Sequence, residues 1–263
     1  MPELPEVETV KRSLLTNIGA KFMVIKINHP AVLRRQDFKP EELCGKKIKS
    51  IERRGKYLIL SATSQRNLVV HLGMSGRFFM LGVQEQLQEP HIHAEIVLDN
   101  QRKLLYQDAR RFGGLWLVKD LASFFRRMGK EPLGEDFNAV YLAEVIKNRK
   151  IAIKSLLLNQ SLIAGIGNIY ADEALFQAGI LPSRPAGTLS NEEIIRLVEK
   201  IAGSVKVLIT SERKLPSALD KYLVKFPPEL MHDALYYAKA VIGDSQTMTT
   251  EAGVLGTPAV RCN

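Results

Sequence analysis

Cysteine is nearly absent. Cys44 and Cys262 are the only two in 263 residues, too few for a disulfide framework and too far apart for a C-x-x-C pair. A zinc site with four cysteine ligands is excluded by count. Long apolar runs are missing as well, since no window approaches the roughly 18 residues that a membrane helix needs. The opening Met1-Pro2-Glu3-Leu4-Pro5-Glu6 has neither a basic n-region nor an apolar h-region and does not read as a signal peptide. A reducing compartment is therefore the expected setting. No internal repeat and no low-complexity segment is found. What is present suits a folded protein: 46% hydrophobic and 25% charged residues can bury a core.

Charge is unevenly placed. The chain carries 37 Lys+Arg against 28 Asp+Glu, a net +9. Residues 1–130 hold 23 basic and 13 acidic side chains, and residues 131–263 hold 14 and 15. A basic half suits a polyanionic partner, because each neutralised phosphate releases condensed counterions.

The pattern along the chain splits near Leu121. Val7, Val10 and Leu14 share one face of a short first helix, with Pro5 in its first turn and Gly19 beyond its end. Strand-like runs follow at 22–28, 47–53, 57–60, 68–72, 77–81, 92–98, 103–107 and 115–118, and this spacing predicts a β-sandwich or an open barrel. Helical periodicity takes over at 121–127, 139–148, 151–159, 168–178 and 190–210. Ser190 followed by Glu192 and Glu193 is a helix start. Gly129 to Asn138 reads as a linker. The expected organisation is 1–128, a β-sandwich domain; 129–138, the linker; 139–215, a helical domain; and 216–263, a divergent tail. Within that tail Pro227-Pro228 could open a helix running to Val241, with Gly243 closing it. The fold class is α+β.

The N-terminus could carry chemistry. Pro2 is small enough for Met1 to be removed, which leaves a secondary amine of pKa about 8. Its neutral form can attack a carbonyl-like carbon and form an iminium, with Glu3 and Glu6 beside it as proton donor and electrostatic support. Composition alone would make this an ordinary helix start.

Met1-Pro-Glu-Leu-Pro-Glu-Val-Glu-Thr-Val10 resembles the opening of the bacterial formamidopyrimidine-DNA glycosylases. Four further stretches resemble the same family in the same order. Arg53-Arg-Gly-Lys-Tyr-Leu58 is similar to its phosphate-lysine hairpin, and His71-Leu-Gly-Met-Ser-Gly76 and Asp108-Ala-Arg-Arg-Phe-Gly113 to its two DNA-intercalating loops. Gln160 to Phe176, containing Gly165-Ile-Gly-Asn-Ile-Tyr-Ala-Asp-Glu173, is similar to its helix–two-turn–helix motif.

The resemblance implies a β-sandwich domain and a helical domain with damaged double-stranded DNA between them. It makes Pro2 the nucleophile at C1′, Glu3 an acid and base, and Glu6 a support. Lys56, His71, Lys154 and Asn168 would meet phosphates. Met74 and Phe112 would fill the gap left by an everted base, a task suited to a flexible thioether, and Arg110 would pair with the orphaned cytosine through its forked donors. The implied activity is removal of oxidised purines followed by strand cleavage at the abasic site, with no cofactor, by a monomer. It would work at the nucleoid in a bacterial cytoplasm, or in a nucleus or organelle. Two alternatives remain open: a pyrimidine-preferring relative of the endonuclease VIII type, against which Leu4 speaks, and a non-catalytic binder of damaged or abasic DNA.

Two departures from the family stand out. The family's usual four-cysteine zinc finger cannot form, so a metal-free hairpin or the helix at 228–241 is expected in its place, with Arg261 as candidate for the finger's phosphate-binding arginine. Thr210 to Ser217 stands where the family usually has a Gly-Gly-Ser/Thr turn ahead of the loop that helps cover the oxidised base. The cysteine count generates a prediction. The purified protein should hold no stoichiometric zinc, and chelators should leave its melting temperature unchanged. Elemental analysis finding about one zinc per chain would overturn this.

Overall fold

The computed structural model describes residues 2–85, 87 and 89–205, together with the backbone of 241–243 and 259–261. The chain forms two compact units, Met1–Val207 and Leu208–Asn263.

The first unit opens with helix α1 (Leu4–Leu14) and continues through nine strands: β1 (Phe22–Ile27), β2 (Leu33–Gln36), β3 (Ile48–Arg54), β4 (Tyr57–Ala62), β5 (Asn67–His71), β6 (Arg77–Gly82), β7 (Ile92–Leu98), β8 (Arg102–Gln107) and β9 (Gly114–Val118). Eight of these fall on the runs expected from sequence, with ends differing by a residue or two. The strand missed was β2. Its Leu-Arg-Arg-Gln is short and polar, as an edge strand is, and it is held by parallel pairing to β9.

The strands make two sheets, ordered β2-β9-β5-β4-β3 and β1-β7-β8-β6. Their facing side chains form one core. Leu58, Leu60, Leu68, Val70, Leu115 and Leu117 come from the first sheet, and Phe22, Phe78, Ile96, Leu104 and Tyr106 from the second. Val7 and Leu14 add the apolar face of α1 to this core. The first sheet is also covered on its far side, where Ile59, Val69 and Val118 pack with Trp116, Phe124 and Phe125. Burial on both faces explains why β5 reads Leu-Val-Val without alternation.

Helices follow: α2 (Leu121–Phe125), α3 (Ala139–Ile146), α4 (Ile153–Leu157), α5 (Asn168–Ala178) and α6 (Asn191–Ser204). On α6, Ile194, Leu197 and Ile201 lie on the buried face. Ser190 caps this helix, its hydroxyl accepting from the Glu193 amide while Glu193 accepts from the Ser190 amide, as the sequence signalled. Residues 129–130 are paired with backbone of the helical half. The Gly129 amide donates to the Gln160 carbonyl and the Lys130 amide to that of Leu162, and the Ala164 amide donates back to Lys130. Short helices α2 and α4 end earlier than their periodicity predicted.

In the second unit, β10 (Val241–Gly243) pairs in parallel with β11 (Ala259–Arg261). This corrects one expectation for the tail: Val241 is in a strand and does not end a helix. The β10–β11 pair itself is parallel, and the stretch between its strands lies outside the described residues. The rest of the proposed helix at 228–241 lies outside the described residues, as does Cys262. Cys44 is a half-buried free thiol. Among the described residues no group of three His, Cys, Asp or Glu side chains could hold a metal ion. Nor is any described helix long and apolar enough to cross a membrane.

Candidate active site and nucleic-acid interface

The first turn of α1 meets the first turn of α5. Glu3 is 2% exposed, and its carboxylate accepts from the amides of Gly167 (2.8 Å), Ile169 (3.0 Å) and Tyr170 (3.4 Å). These are the unpaired donors that any helix leaves at its start, and their partial positive charge compensates the buried anion. A glycine is required at 167: a Cβ there would stand 2.3 Å from the Glu3 carboxyl carbon. Glu6 accepts from the Glu3 amide (2.8 Å) and from the Tyr170 hydroxyl (2.7 Å). Pro2, half-buried, thus precedes a residue held on both its backbone and its side chain. Tyr170 lies on the helix expected at 168–178, but no local spacing assigns it a task.

Lys56 sits in the two-residue turn between β3 and β4 and is 7% exposed. Burial lowers its pKa, and the charges of Glu3 and Glu6 work in the opposite direction. Among the described residues no carboxylate lies within ion-pair distance of its ammonium. The turn is anchored from below. Buried Glu8 binds Lys11 (3.1 Å), Arg12 (3.0 Å) and Arg53 (3.0 Å). Arg53 continues to Glu131 (2.7 Å), which also holds Arg54 (3.1 Å) and the Gly55 amide. Burial would raise the Glu8 carboxyl, but Lys11 and Arg53 outweigh it and hold the group below its ordinary value. The anchoring roles of Glu8, Arg53, Arg54 and Glu131 are not legible from sequence, because ion pairs between distant segments leave no local pattern.

His71 closes β5 against Tyr57 (ring centroids 4.7 Å apart) and Trp116 (6.5 Å). Its Nδ1 accepts the Gly73 amide proton at 3.1 Å, which leaves Nε2 to carry the hydrogen of the neutral ring. Burial lowers its pKa to about 4, with the Lys56 charge adding to the fall and Asp108 opposing it.

The two loops place their apolar tips in solvent. Met74 is 44% and Phe112 63% exposed, so neither is a core residue. The Arg110 guanidinium rests 3.9 Å from the Met74 sulfur. In the helical half, Lys154 pairs with Asp172 at 2.8 Å, and Asn168 is exposed at the start of α5. Glu3, Glu6, Lys56 and His71 are therefore gathered into one electrostatic group, whereas Lys154 is already matched by a carboxylate.

Comparison with known proteins agrees with this geometry. The formamidopyrimidine-DNA glycosylase N-terminal domain matches residues 1–115, and the H2TH domain of the same glycosylases matches residues 128–215. The formamidopyrimidine-DNA glycosylase of Syntrophomonas wolfei is 52% identical over 217 residues, 81% of each chain. That of Moorella thermoacetica is 43% identical over 206 residues, 75% of this chain and 74% of the relative. The Lactococcus lactis enzyme bound non-covalently to DNA containing an AP site aligns with a TM-score of 0.72 at 35% identity, covering 77% of this chain and 80% of that one. A two-domain DNA glycosylase of base-excision repair is the class these matches define. The chain belongs to the formamidopyrimidine-DNA glycosylase family.

His71 generates a prediction with a defined sign. Above pH 6.5 the imidazole is neutral in folded and unfolded chains alike. Below it the unfolded chain takes up a proton that the folded chain refuses until about pH 4. Stability should therefore fall as pH drops through this window and level off beneath it. The loss attributable to His71 is about 3 kcal/mol at most. Unfolding free energies of the wild type and His71→Asn, compared from pH 7 to 4, should converge by that order. A pH-independent difference would show that His71 titrates normally.

Proposed function

We propose that the chain excises oxidised purines, 8-oxoguanine and formamidopyrimidines, from duplex DNA and then cleaves the abasic strand. The observation that carries this reading is the double hold on Glu3 directly after Pro2, with Lys56 in the same field. The Pro2 amine attacks C1′ with its lone pair as the base departs with its bonding electrons and takes a proton. Loss of the amine's own N–H proton frees a second pair, which becomes the iminium bond as C1′–O4′ breaks and O4′ is protonated. Glu3, fixed by three amides, passes the protons of ring opening and of the β- and δ-eliminations that follow. Glu6 and Tyr170 keep Glu3 in place.

Lys56, His71, Lys154 and Asn168 are assigned to phosphates, His71 as a neutral Nε2–H donor. Met74, Arg110 and Phe112 are assigned to the space of the everted base, with Arg110 donating to the orphaned cytosine. Crystal structures support the substrate class: a relative was solved with carbocyclic 8-oxo-G DNA and the Lactococcus lactis protein with FAPY-dG DNA. Oxidised pyrimidine is a second candidate substrate, since the Lactococcus lactis protein was also solved with DNA containing one. The relatives named above are bacterial, which supports a reading of work at the nucleoid of a bacterial cytoplasm.

Borohydride trapping tests the mechanism. Protein beginning at Pro2 should be locked covalently to duplexes carrying oxidised guanine or an abasic site. Protein shown by mass spectrometry to retain Met1 should not be, because an amide nitrogen is not nucleophilic. Pro2→Gly should keep some cleavage of abasic DNA through its primary amine while losing base excision. Efficient trapping by chains that keep Met1 would rule Pro2 out as nucleophile.

A further inference from the structure

Two loops carry the side chains assigned above to the everted base, and they lie side by side. One joins β5 to β6 and the other β8 to β9, so each passes from one sheet to the other. His71 at the end of β5 pairs with Gly114 at the start of β9. Arg77 at the start of β6 pairs with Gln107 at the end of β8. Both crossings therefore occur at the same end of the sandwich.

Between them lies a carboxylate with no exposure at all, Asp108. Its Oδ1 accepts from the Ser75 hydroxyl (2.7 Å) and its Oδ2 from the Gly113 amide (2.9 Å), with the Tyr106 hydroxyl 3.3 Å away. The Ser75 oxygen in turn accepts from the Arg110 amide at 3.2 Å. Among the described residues no lysine, arginine or histidine side chain forms an ion pair with Asp108. Burial would raise its pKa, but the Gly113 amide, the Ser75 hydroxyl and the amides of Arg110 and Arg111 hold it below the ordinary value.

A buried charge tolerates only arrangements that keep its donors in place. Here one donor belongs to the first loop and the amide donors belong to the second. The backbones interlock as well. A Cβ on Gly73 would stand 2.3 Å from the Gly113 nitrogen, and one on Gly113 would stand 2.2 Å from the His71 carbonyl oxygen. Arg34 braces the second loop from outside through the carbonyls of Arg111 (2.6 Å) and Gly113 (3.1 Å).

We propose that Asp108 is a positioning residue that binds the two loops into a single wedge, so that Met74, Arg110 and Phe112 enter the duplex together. Asp108 touches no base. It sets where the Arg110 guanidinium stands relative to the Met74 tip, and hence how well the cytosine opposite the lesion is told from the other bases. This inference rests on the reading of those three side chains given under the proposed function.

The test compares wild type, Asp108→Asn and Ser75→Ala. The first readout is single-turnover excision of oxidised guanine opposite each of the four bases. The second is elimination at a ready-made abasic site in a single strand, where no opposite base has to be read. Asp108→Asn should depress excision opposite cytosine more than elimination, by a ratio on the order of tenfold, and flatten the opposite-base preference. Ser75→Ala, which removes only the strap between the loops, should shift both readouts in the same sense by less. In a Met74→Ala/Arg110→Ala background Asp108→Asn should have almost no further effect on excision, as expected for residues acting as one unit. Equal losses on both substrates, full additivity in that background, or an intact opposite-base preference in both variants would overturn the proposal. If Asp108→Asn fails to fold, Ser75→Ala decides on the same readouts. Wild type that traps on abasic DNA while the variants lose no preference refutes the wedge alone. Wild type that never traps refutes the proposed chemistry itself.

Discussion

A buried carboxylate resting on three backbone amides holds this molecule to its chemistry. Glu3 belongs to the first helix and its donors to the fifth, so the bond joins the start of the chain to residues more than 160 positions later. Removing either side would leave a buried charge or several buried amides without partners, each costing a few kcal/mol. The arrangement is therefore all or nothing. It also fixes the backbone directly after Pro2, the proposed nucleophile, at the head of a helix.

The lysine beside this group is held in a different way. Lys56 lies in a turn too short to have a core of its own, and its position comes from the ion-pair chain Glu8–Arg53–Glu131–Arg54 beneath it. Isolated pairs on a surface contribute little. These are linked, mostly shielded from water, and capped by the Gly55 amide on Glu131, so they specify a geometry. Residues 129–131 thus serve both neighbours, bonding the turn through Glu131 and the helical half through the backbone of Gly129 and Lys130. The stretch that composition marked as a linker is a structural seam.

The sequence was legible where a single local rule decides the outcome. The alternating strands, the Ser190 cap and the Ile194-Leu197-Ile201 stripe could be read because each depends on neighbours within a few residues. The motif residues Glu3, Lys56, His71, Met74 and Arg110 could be read because the family resemblance pointed at them. Strand β2 was missed because its polar side chains are set by a partner more than 80 residues away. Asp108, Ser75, Glu131 and Tyr170 were passed over because their work consists of contacts between segments, which no spacing announces. In the tail, propensity suggested a helix ending at Val241, yet Val241 itself lies in a strand paired in parallel with 259–261, a contact that no local pattern announces.

The pairing of Lys154 with Asp172 has a bearing on how the protein travels. A phosphate arriving at that lysine does not meet a bare cation; it must displace a carboxylate that is already there. The protein carries its own exchangeable counterion, so the attraction for any passing stretch of backbone is discounted by the attraction it replaces. A discount of this kind leaves strong engagement for the place where other contacts add to it and weak engagement everywhere else. If Lys154 grips phosphate as proposed, a built-in competitor there shortens each unproductive stop along a great length of undamaged polymer.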